Sequence, residues 1–340
     1  MKILAISAMA IETPAKSYGG LETVVYNHCK GLADLGEDVT LLGAKGSVAP
    51  KGVKCWELEE PGLFDISEEK AFWWYRHILP EYDVVLDHSW YKWTLMAGDY
   101  LPVISTMHSP CPYNRTPPKK YPMFCGVSTE HSILASKVLG LPVRTTWNSV
   151  DVARFPFSKS PGDNTLLSIN RIDPDKGIHV FIDWVSRLDG KFKGDIVGDD
   201  SLVRDPVYPQ NVRKSCELYK IKFSGKVSHE DKLQKIKDCR AVVLLPQAPK
   251  YYEVFGLAAV EANAMGKPVI CTPNCGLKSV IENGVTGFHV ETFAQFKDAV
   301  EKLDTISPEA CRKQAEKFDI PAITPKYRDM IKKVNEGCRW

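Results

Sequence analysis

No apolar stretch in these 340 residues approaches the roughly 20 residues that a bilayer-spanning helix needs. Charge of one sign is also lacking. The formal net charge is +2, without the basic footprint of a bulk nucleic-acid binder, so no nucleic-acid partner is expected. Lys119 and Lys120 stand in a Pro-rich loop, read first as solvated charges, with a local basic patch as the alternative. The ten cysteines follow no metal or redox spacing, and the nearest pair, Cys271 and Cys275, is not C-x-x-C. They are read as buried free thiols in a reducing, cytoplasmic setting. The apolar run Ile3 to Ile11 after Lys2 superficially resembles a short signal peptide. One lysine is weak support for that reading, and cleavage would remove a buried first strand. No short-period repeat and no low-complexity tract is present.

Short Val- and Ile-rich runs alternate with segments of helical period, the pattern of βαβ units on a parallel sheet. Strands are expected at Lys2 to Ser7, Asp38 to Leu42, Asp83 to Leu86, Val103 to Thr106, Phe124 to Val127 and Leu141 to Trp147. A helix over Gly20 to Leu35 carries Leu21, Val24, Val25, Leu32 and Leu35 inward, and Gly36 stops it. Val150 to Asp163, with two prolines and a glycine, reads as a linker. A second series follows at Thr165 to Ile169, Gly194 to Val197, Ile221 to Phe223, Ala241 to Leu245 and Pro268 to Cys271, with helices between and from Phe293 onward. The expectation is α/β: two Rossmann-like doubly wound domains with an interdomain cleft. The N-terminal domain spans 1–150, a terminal helix over about 322–340 packs back on it, and the C-terminal domain spans 151–321.

Parallel α/β sheets bind ligands beyond the carboxyl ends of their strands, and four places there carry chemistry. Tyr18-Gly19-Gly20-Leu21-Glu22 precedes the first helix, and paired glycines let backbone approach an anion; an ordinary turn is the equal alternative. The spacing is not G-x-G-x-x-G, which weakens a nicotinamide or flavin reading. Arg171, just past a strand, and Lys176-Gly177 at a helix start set two cations over one place, suited to phosphate; a solvated turn is the alternative. Phe255, Gly256 and Leu257 read as a helix's first turn with unsatisfied N–H groups, Glu253 just ahead and Glu261 inside. The carboxylates suit sugar hydroxyls, or are a structural acid and a favourable helix-start charge. His108 follows a strand and either contacts a sugar or shuttles a proton, or is hydrogen-bonded structure.

These pieces, in order, resemble glycosyltransferase family 4. In the first half the likeness lies in the Gly-Gly loop, Asp83-Val-Val-Leu-Asp-His88, Thr106-Met-His108, Gly126-Val-Ser128 and Trp147-Asn148-Ser-Val-Asp151. In the second half it lies in Asn170-Arg171 with Lys176-Gly177, Ile196-Val-Gly198-Asp199, Phe223-Ser-Gly225-Lys226-Val227, the Glu-x7-Glu pair, Gly266-Lys-Pro268-Val-Ile and Val280 to Phe288. The resemblance implies the GT-B fold and a retaining hexosyltransferase that uses a nucleotide-sugar donor, UDP-sugar first, with no cofactor and no required metal. It implies that Arg171 and Lys176 neutralise the donor diphosphate, Glu253 holds the transferred sugar and Glu261 the ribose diol. Backbone at Lys226 and Val227 meets the base, and Phe255, Gly256 and Leu257 offer N–H groups. Gly19 and Gly20 approach the phosphates from the other domain, and His108 sits beside the sugar. Two departures stand out. Lys54 to Leu79 is short, with Trp73-Trp74-Tyr75, and the motif Val-Gly198-Asp199-Asp200 has Asp where a second Gly is often found. A saccharide, lipid or small-metabolite acceptor stays open, as does a weak membrane-surface contact at Phe72 to Tyr75, which reads first as a helix stripe packed into the core. A nucleotide-sugar epimerase and an inactive sugar-nucleotide-binding protein are the competing readings.

Overall fold

A computed structural model describes residues 1–16, 19–58, 65–97, 101–110, 120–201, 203 and 205–340, positions 65 and 66 by backbone alone. Tyr18 and Lys119 lie outside the described residues. Two compact units are formed: Met1–Val150 with Phe318–Trp340, and Asp151–Lys317.

The first unit runs β1 (Lys2–Ile6), α1 (Gly20–Asp34), β2 (Asp38–Ala44), β3 (Lys54–Leu58), α2 (Asp65–Tyr75), β4 (Val84–Asp87), β5 (Val103–Thr106), β6 (Phe124–Gly126), α3 (Thr129–Leu139) and β7 (Arg144–Thr145). The second runs β8 (Thr165–Ile169), α4 (Ile178–Ser186), β9 (Lys193–Val197), α5 (Tyr208–Tyr219), β10 (Lys222–Gly225), α6 (His229–Asp238), β11 (Ala241–Leu244), α7 (Leu257–Ala264), β12 (Val269–Cys271), α8 (Leu277–Val280), β13 (Gly287–His289), α9 (Phe293–Glu301) and α10 (Pro308–Glu316). A last helix, α11 (Ile320–Asn335), belongs to the first unit.

Both sheets are parallel throughout and doubly wound, in the orders β3-β2-β1-β4-β5-β6-β7 and β10-β9-β8-β11-β12-β13. Such sheets are covered on both faces, so alternate residues of one strand enter different cores. In β1, Ile3 and Ala5 pack with Val25, Leu32, Tyr327 and Ile331 from α1 and α11, while Leu4 and Ile6 pack with Ala71, Phe72 and Tyr75 of α2. The terminal segment is fastened further. Trp340 Nε1 donates to the Phe124 carbonyl at 2.9 Å, and Arg328 pairs with the buried Glu37. In the second unit Phe181, Ile182 and Val185 of α4 share one core with Ile196, Val243 and Phe296. The strand order reverses between β1 and β4, and again between β8 and β11. Segments leaving the carboxyl ends of those strands are where such sheets hold ligands.

Several expectations change. Leu35 does not join the buried stripe: it caps α1 and is 38% exposed, because the helix has ended. β7 occupies only Arg144–Thr145 of the expected Leu141 to Trp147. The expected linker begins where the two units divide; it is packed at its start, while Pro156, Phe157, Lys159, Ser160 and Pro161 are exposed. Val152 and Phe155 are buried, and Arg312 Nη1 donates to both the Phe155 and Ala264 carbonyls, at 2.9 and 2.8 Å. The aromatic stripe of α2 is split: Phe72 and Tyr75 are buried, whereas Trp73 and Trp74 are half exposed, since adjacent helical residues point about 100° apart. The described cysteines are free, and Cys29, Cys125, Cys216, Cys239, Cys271 and Cys311 are buried. Among the described residues no helix is long and apolar enough to cross a membrane.

Phe296 is fully buried at the centre of the second core. Phe296→Ala is expected to lower the unfolding free energy by about 3–5 kcal/mol through lost burial and a residual cavity. A urea titration followed by circular dichroism checks this; a change below about 1 kcal/mol contradicts the assigned packing.

Candidate active site

In the second unit, the chain leaving β8 stays paired with that leaving β9. Asn170 N–H donates to the Val197 carbonyl and Ile172 N–H to the Asp199 carbonyl, each at 3.0 Å. The approach is so close that a Cβ at Gly198 would lie 1.7 Å from the Asn170 carbonyl oxygen. Arg171 is thereby held at the strand end, its Nη2 3.2 Å from Asp173 Oδ2. The Arg171 Nε–H is buried and has no hydrogen-bond partner among the described residues, which leaves a donor for an incoming anion.

Pro174–Lys176 form a tight 3₁₀ turn, and Gly177 then takes a left-handed φ of 68° before α4 begins at Ile178. A Cβ on Gly177 would stand 1.8 Å from the Leu245 carbonyl oxygen, at the end of β11. Lys176 therefore closes a separate turn and does not open the helix, a correction whose cause is this contact between the chains leaving β8 and β11. Its ammonium meets Glu253 Oε2 at 2.6 Å and the Tyr251 hydroxyl at 3.0 Å, and stands 4.4 Å from the Tyr251 ring centre. Glu253 is fixed in turn: its N–H donates to Asn274 Oδ1 at 3.0 Å, and its carbonyl accepts from Gly276 N–H at 2.8 Å. Asn274 Nδ2 also donates to the Pro246 and Tyr251 carbonyls, so one buried amide shapes the whole loop.

The segment Phe255, Gly256 and Leu257 also differs from expectation. Gly256 is left-handed with φ 94°, so only Leu257 lies in α7, and the Phe255 side chain is core. A Cβ at Gly256 would lie 2.4 Å from Leu277 Cδ2, which reserves the position for glycine. Glu261, within α7, pairs with Lys232 of α6 at 2.9 Å. Lys226 Nζ reaches Asp199 Oδ2 at 3.0 Å, and Val227 follows it, partly buried. Asp199 is thus a counter-ion for Lys226, and Asp200, where the resemblance leads one to expect glycine, pairs with Arg213. Lys176 and Glu253 are brought into direct contact, whereas Arg171 and Glu261 bond to other partners. Tyr251, Asn274 and Lys232 were not anticipated, because nothing local in sequence links them to residues 21 to 75 positions away.

In the first unit, Gly19 caps α1 and Gly20 begins it. Gly19 is required for space: a Cβ there would lie 2.3 Å from Ala15 Cβ and 2.7 Å from Glu22 Oε2. Glu22 is buried in the first turn of α1, and burial pushes its carboxyl up to about 7, with Glu12 and Glu68 adding to the rise. His108 follows β5, and its Nε2 lies 2.9 Å from His88 Nδ1. Burial holds both imidazoles well below the ordinary histidine range, so both are neutral at pH 7.

Residues 149–319, half of the chain, match the family Glycosyl transferases group 1. The chain belongs to that family. Glycogen synthase of Mycobacterium tuberculosis is 33% identical over 145 residues, 41% of this chain and 34% of that protein. A probable sucrose-phosphate synthase of Thermosipho melanesiensis is 28% identical over 194 residues, 54% of this chain and 44% of that protein. The chain thus spans a third to under half of the length of these relatives. Among solved structures, a glycosyltransferase involved in avilamycin A biosynthesis aligns with a TM-score of 0.75 at 23% identity, over 100% of this chain and 99% of its own. Sucrose-phosphate synthase of Thermosynechococcus elongatus aligns at 0.78 and 17%, over 99% and 100%. The Anabaena protein HepE, solved with UDP and glucose, aligns at 0.75 and 16%, over 98% and 99%. The likeness to these structures is one of fold: two Rossmann-like α/β domains, the GT-B architecture.

Glu22 generates a pH prediction. The folded chain keeps this proton up to about pH 7, whereas the unfolded carboxyl loses it near 4.5. The fold binds the extra proton between those values, so its stability falls as pH rises through that window. Glu22→Gln cannot ionise there, so its melting temperature relative to the native chain is expected to rise between pH 5 and pH 8. A difference that stays flat over that range contradicts the assignment.

Proposed function

We propose that the protein is a retaining hexosyltransferase of glycosyltransferase family 4 that moves a sugar from a nucleoside-diphosphate sugar, UDP-sugar first, to an acceptor, without a required metal. The observation that carries this reading is the polar cluster at the β8–β11 reversal. Lys176 is fixed there by Glu253 and Tyr251, beside a loop that presents the unpartnered Nε–H of Arg171. A guanidinium and an ammonium, each held by a neighbouring carboxylate, are preorganised charge, the form that best stabilises a departing diphosphate. The family's glycogen and sucrose-phosphate synthases give the same direction.

In this reading Arg171 and Lys176 neutralise the diphosphate and take up the charge that develops when the glycosidic bond breaks. Lys176 exchanges its Glu253 oxygen for a phosphate oxygen, which frees the carboxylate to accept hydroxyl protons from the transferred sugar. Glu261 holds the ribose diol. Backbone near Lys226 and Val227 meets the base, and N–H groups at Phe255, Gly256 and Leu257 complete the donor contacts. Gly19 and Gly20 serve the phosphates, and His108 serves the sugar. A donor phosphate oxygen takes the acceptor proton on the face the leaving group vacates, which retains configuration. The second unit, which ends at Lys317 and not at the expected 321, is the donor domain, and the first unit is the acceptor-side domain. The acceptor is a saccharide, lipid or small metabolite, nucleic acid is not a partner, and the setting is cytoplasmic.

Lys176→Ala is expected to lower sugar transfer about 10²–10³-fold, the scale of losing one preorganised charge. Donor consumption read by mass spectrometry, after a thermal-shift panel chooses the sugar nucleotide, is the check; unchanged turnover contradicts the phosphate role. A new sugar nucleotide formed from donor alone indicates an epimerase instead. Separately, EDTA is expected to leave transfer intact, and its abolition by chelator contradicts the metal-free mechanism.

A further inference from the structure

The first unit holds a polar core that the donor-site argument leaves unused. Lys92 is completely buried, and its ammonium donates to the carbonyls of Asp87 at 3.2 Å, Thr106 at 2.7 Å and Ser89. The Asp87 carboxylate stands 3.9 Å away and accepts from Ser89 N–H, Ser89 Oγ and Thr94 Oγ1. One ammonium therefore ties the end of β4 to the end of β5. His88 follows Asp87 by one residue, and His108 follows Thr106 by two.

A third imidazole pins the chain just beyond. His131 Nδ1 accepts from Val127 N–H at 3.1 Å, which makes that nitrogen unprotonated, so Nε2–H donates to the Ser109 carbonyl at 3.0 Å. With both sides of His108 fastened, its Nε2 meets His88 Nδ1 at 2.9 Å, the rings 5.2 Å apart. Two neutral imidazoles bond through a single proton, and the question is which ring supplies it. His88 Nε2 is buried and has no hydrogen-bond partner among the described residues. A proton placed there would be a buried N–H with no acceptor, which costs more than a bare ring nitrogen left without a donor. His88 therefore carries its proton on Nδ1.

We infer that His88 is a positioning residue that holds His108 as its Nδ1–H tautomer, so that His108 presents a hydrogen-bond donor, not a base, to an oxygen of the transferred sugar. The assignment of His108 to the sugar rests on the proposed function; the tautomer does not. With Nε2 occupied by the His88 proton, Nδ1 is the nitrogen left for a ligand. An N–H there donates to a hydroxyl oxygen of the sugar, fixes its orientation and moves no proton.

A long-range ¹H–¹⁵N correlation spectrum of the intact, histidine-labelled protein at pH 7.5 reads the tautomer without any substrate. The expected result is a protonated Nδ1 and a bare Nε2 on His108, and the reverse pattern overturns the inference. In transfer assays, His88→Leu cannot donate and is expected to lower kcat about tenfold or more while donor KM stays within about threefold. His88→Asn sets an amide N–H near the place of Nδ1 and is expected to recover most of the loss. Equal losses in the two variants, at matched melting temperatures, overturn the positioning role. If the wild-type chain transfers sugar and His108→Ala does so equally well, the sugar assignment of His108 falls while the spectrum still decides the tautomer.

Discussion

A nearly buried ammonium requires a counter-charge, and the second unit is arranged around the one that Lys176 receives from Glu253. Removing two ions from water is costly unless they meet at close range with their remaining valences bonded. The 2.6 Å contact meets that condition, with the Tyr251 hydroxyl as a further acceptor and the Asn274 amide holding the backbone of Glu253. The glycines follow from the same demand. Gly177 lets the Lys176 turn lie against the end of β11, and Gly256 lets the chain reverse into α7 against Leu277. In the proposed function the Glu253 carboxylate resting on this lysine stands in for a phosphate oxygen.

The first unit solves a like problem differently. Its buried cation, Lys92, is satisfied mainly by backbone carbonyls rather than by a close carboxylate. Carbonyl dipoles fix position in three directions and fasten two strand ends, where a lone ion pair would fasten only two side chains. The neighbouring imidazoles are kept neutral first by their burial, and the charge of Lys92 acts in the same direction. One unit thus holds its cation by a close carboxylate, and the other holds its cation by backbone carbonyls.

The central strands were legible because β1, β4, β8 and β11 are largely buried and read as short, mainly apolar runs. The edge strands β3 and β13 were not. Lys54–Leu58 mixes charge with apolar residues and Gly287–His289 is three residues long, so pairing to a neighbour, not composition, makes them strands. At the site, Arg171, Lys176 and Glu253 were readable as polar residues just past strand ends. Their charge partners were not, since the Lys176–Glu253 contact joins positions 77 residues apart and Lys232 reaches Glu261 across 29. Helix starts misled for a local reason: both Lys176 and Phe255 precede a left-handed glycine that delays the helix.

The account makes Glu253 both the occupant of the lysine in the free protein and the holder of the sugar in the complex. Titration calorimetry of UDP against the native chain and Glu253→Gln, paired with the transfer rate of each, tests this directly. The predicted result is opposite movement: UDP binds the variant at least as tightly, because Lys176 no longer has to leave a carboxylate, while transfer falls. Weaker UDP binding with transfer unchanged would contradict it.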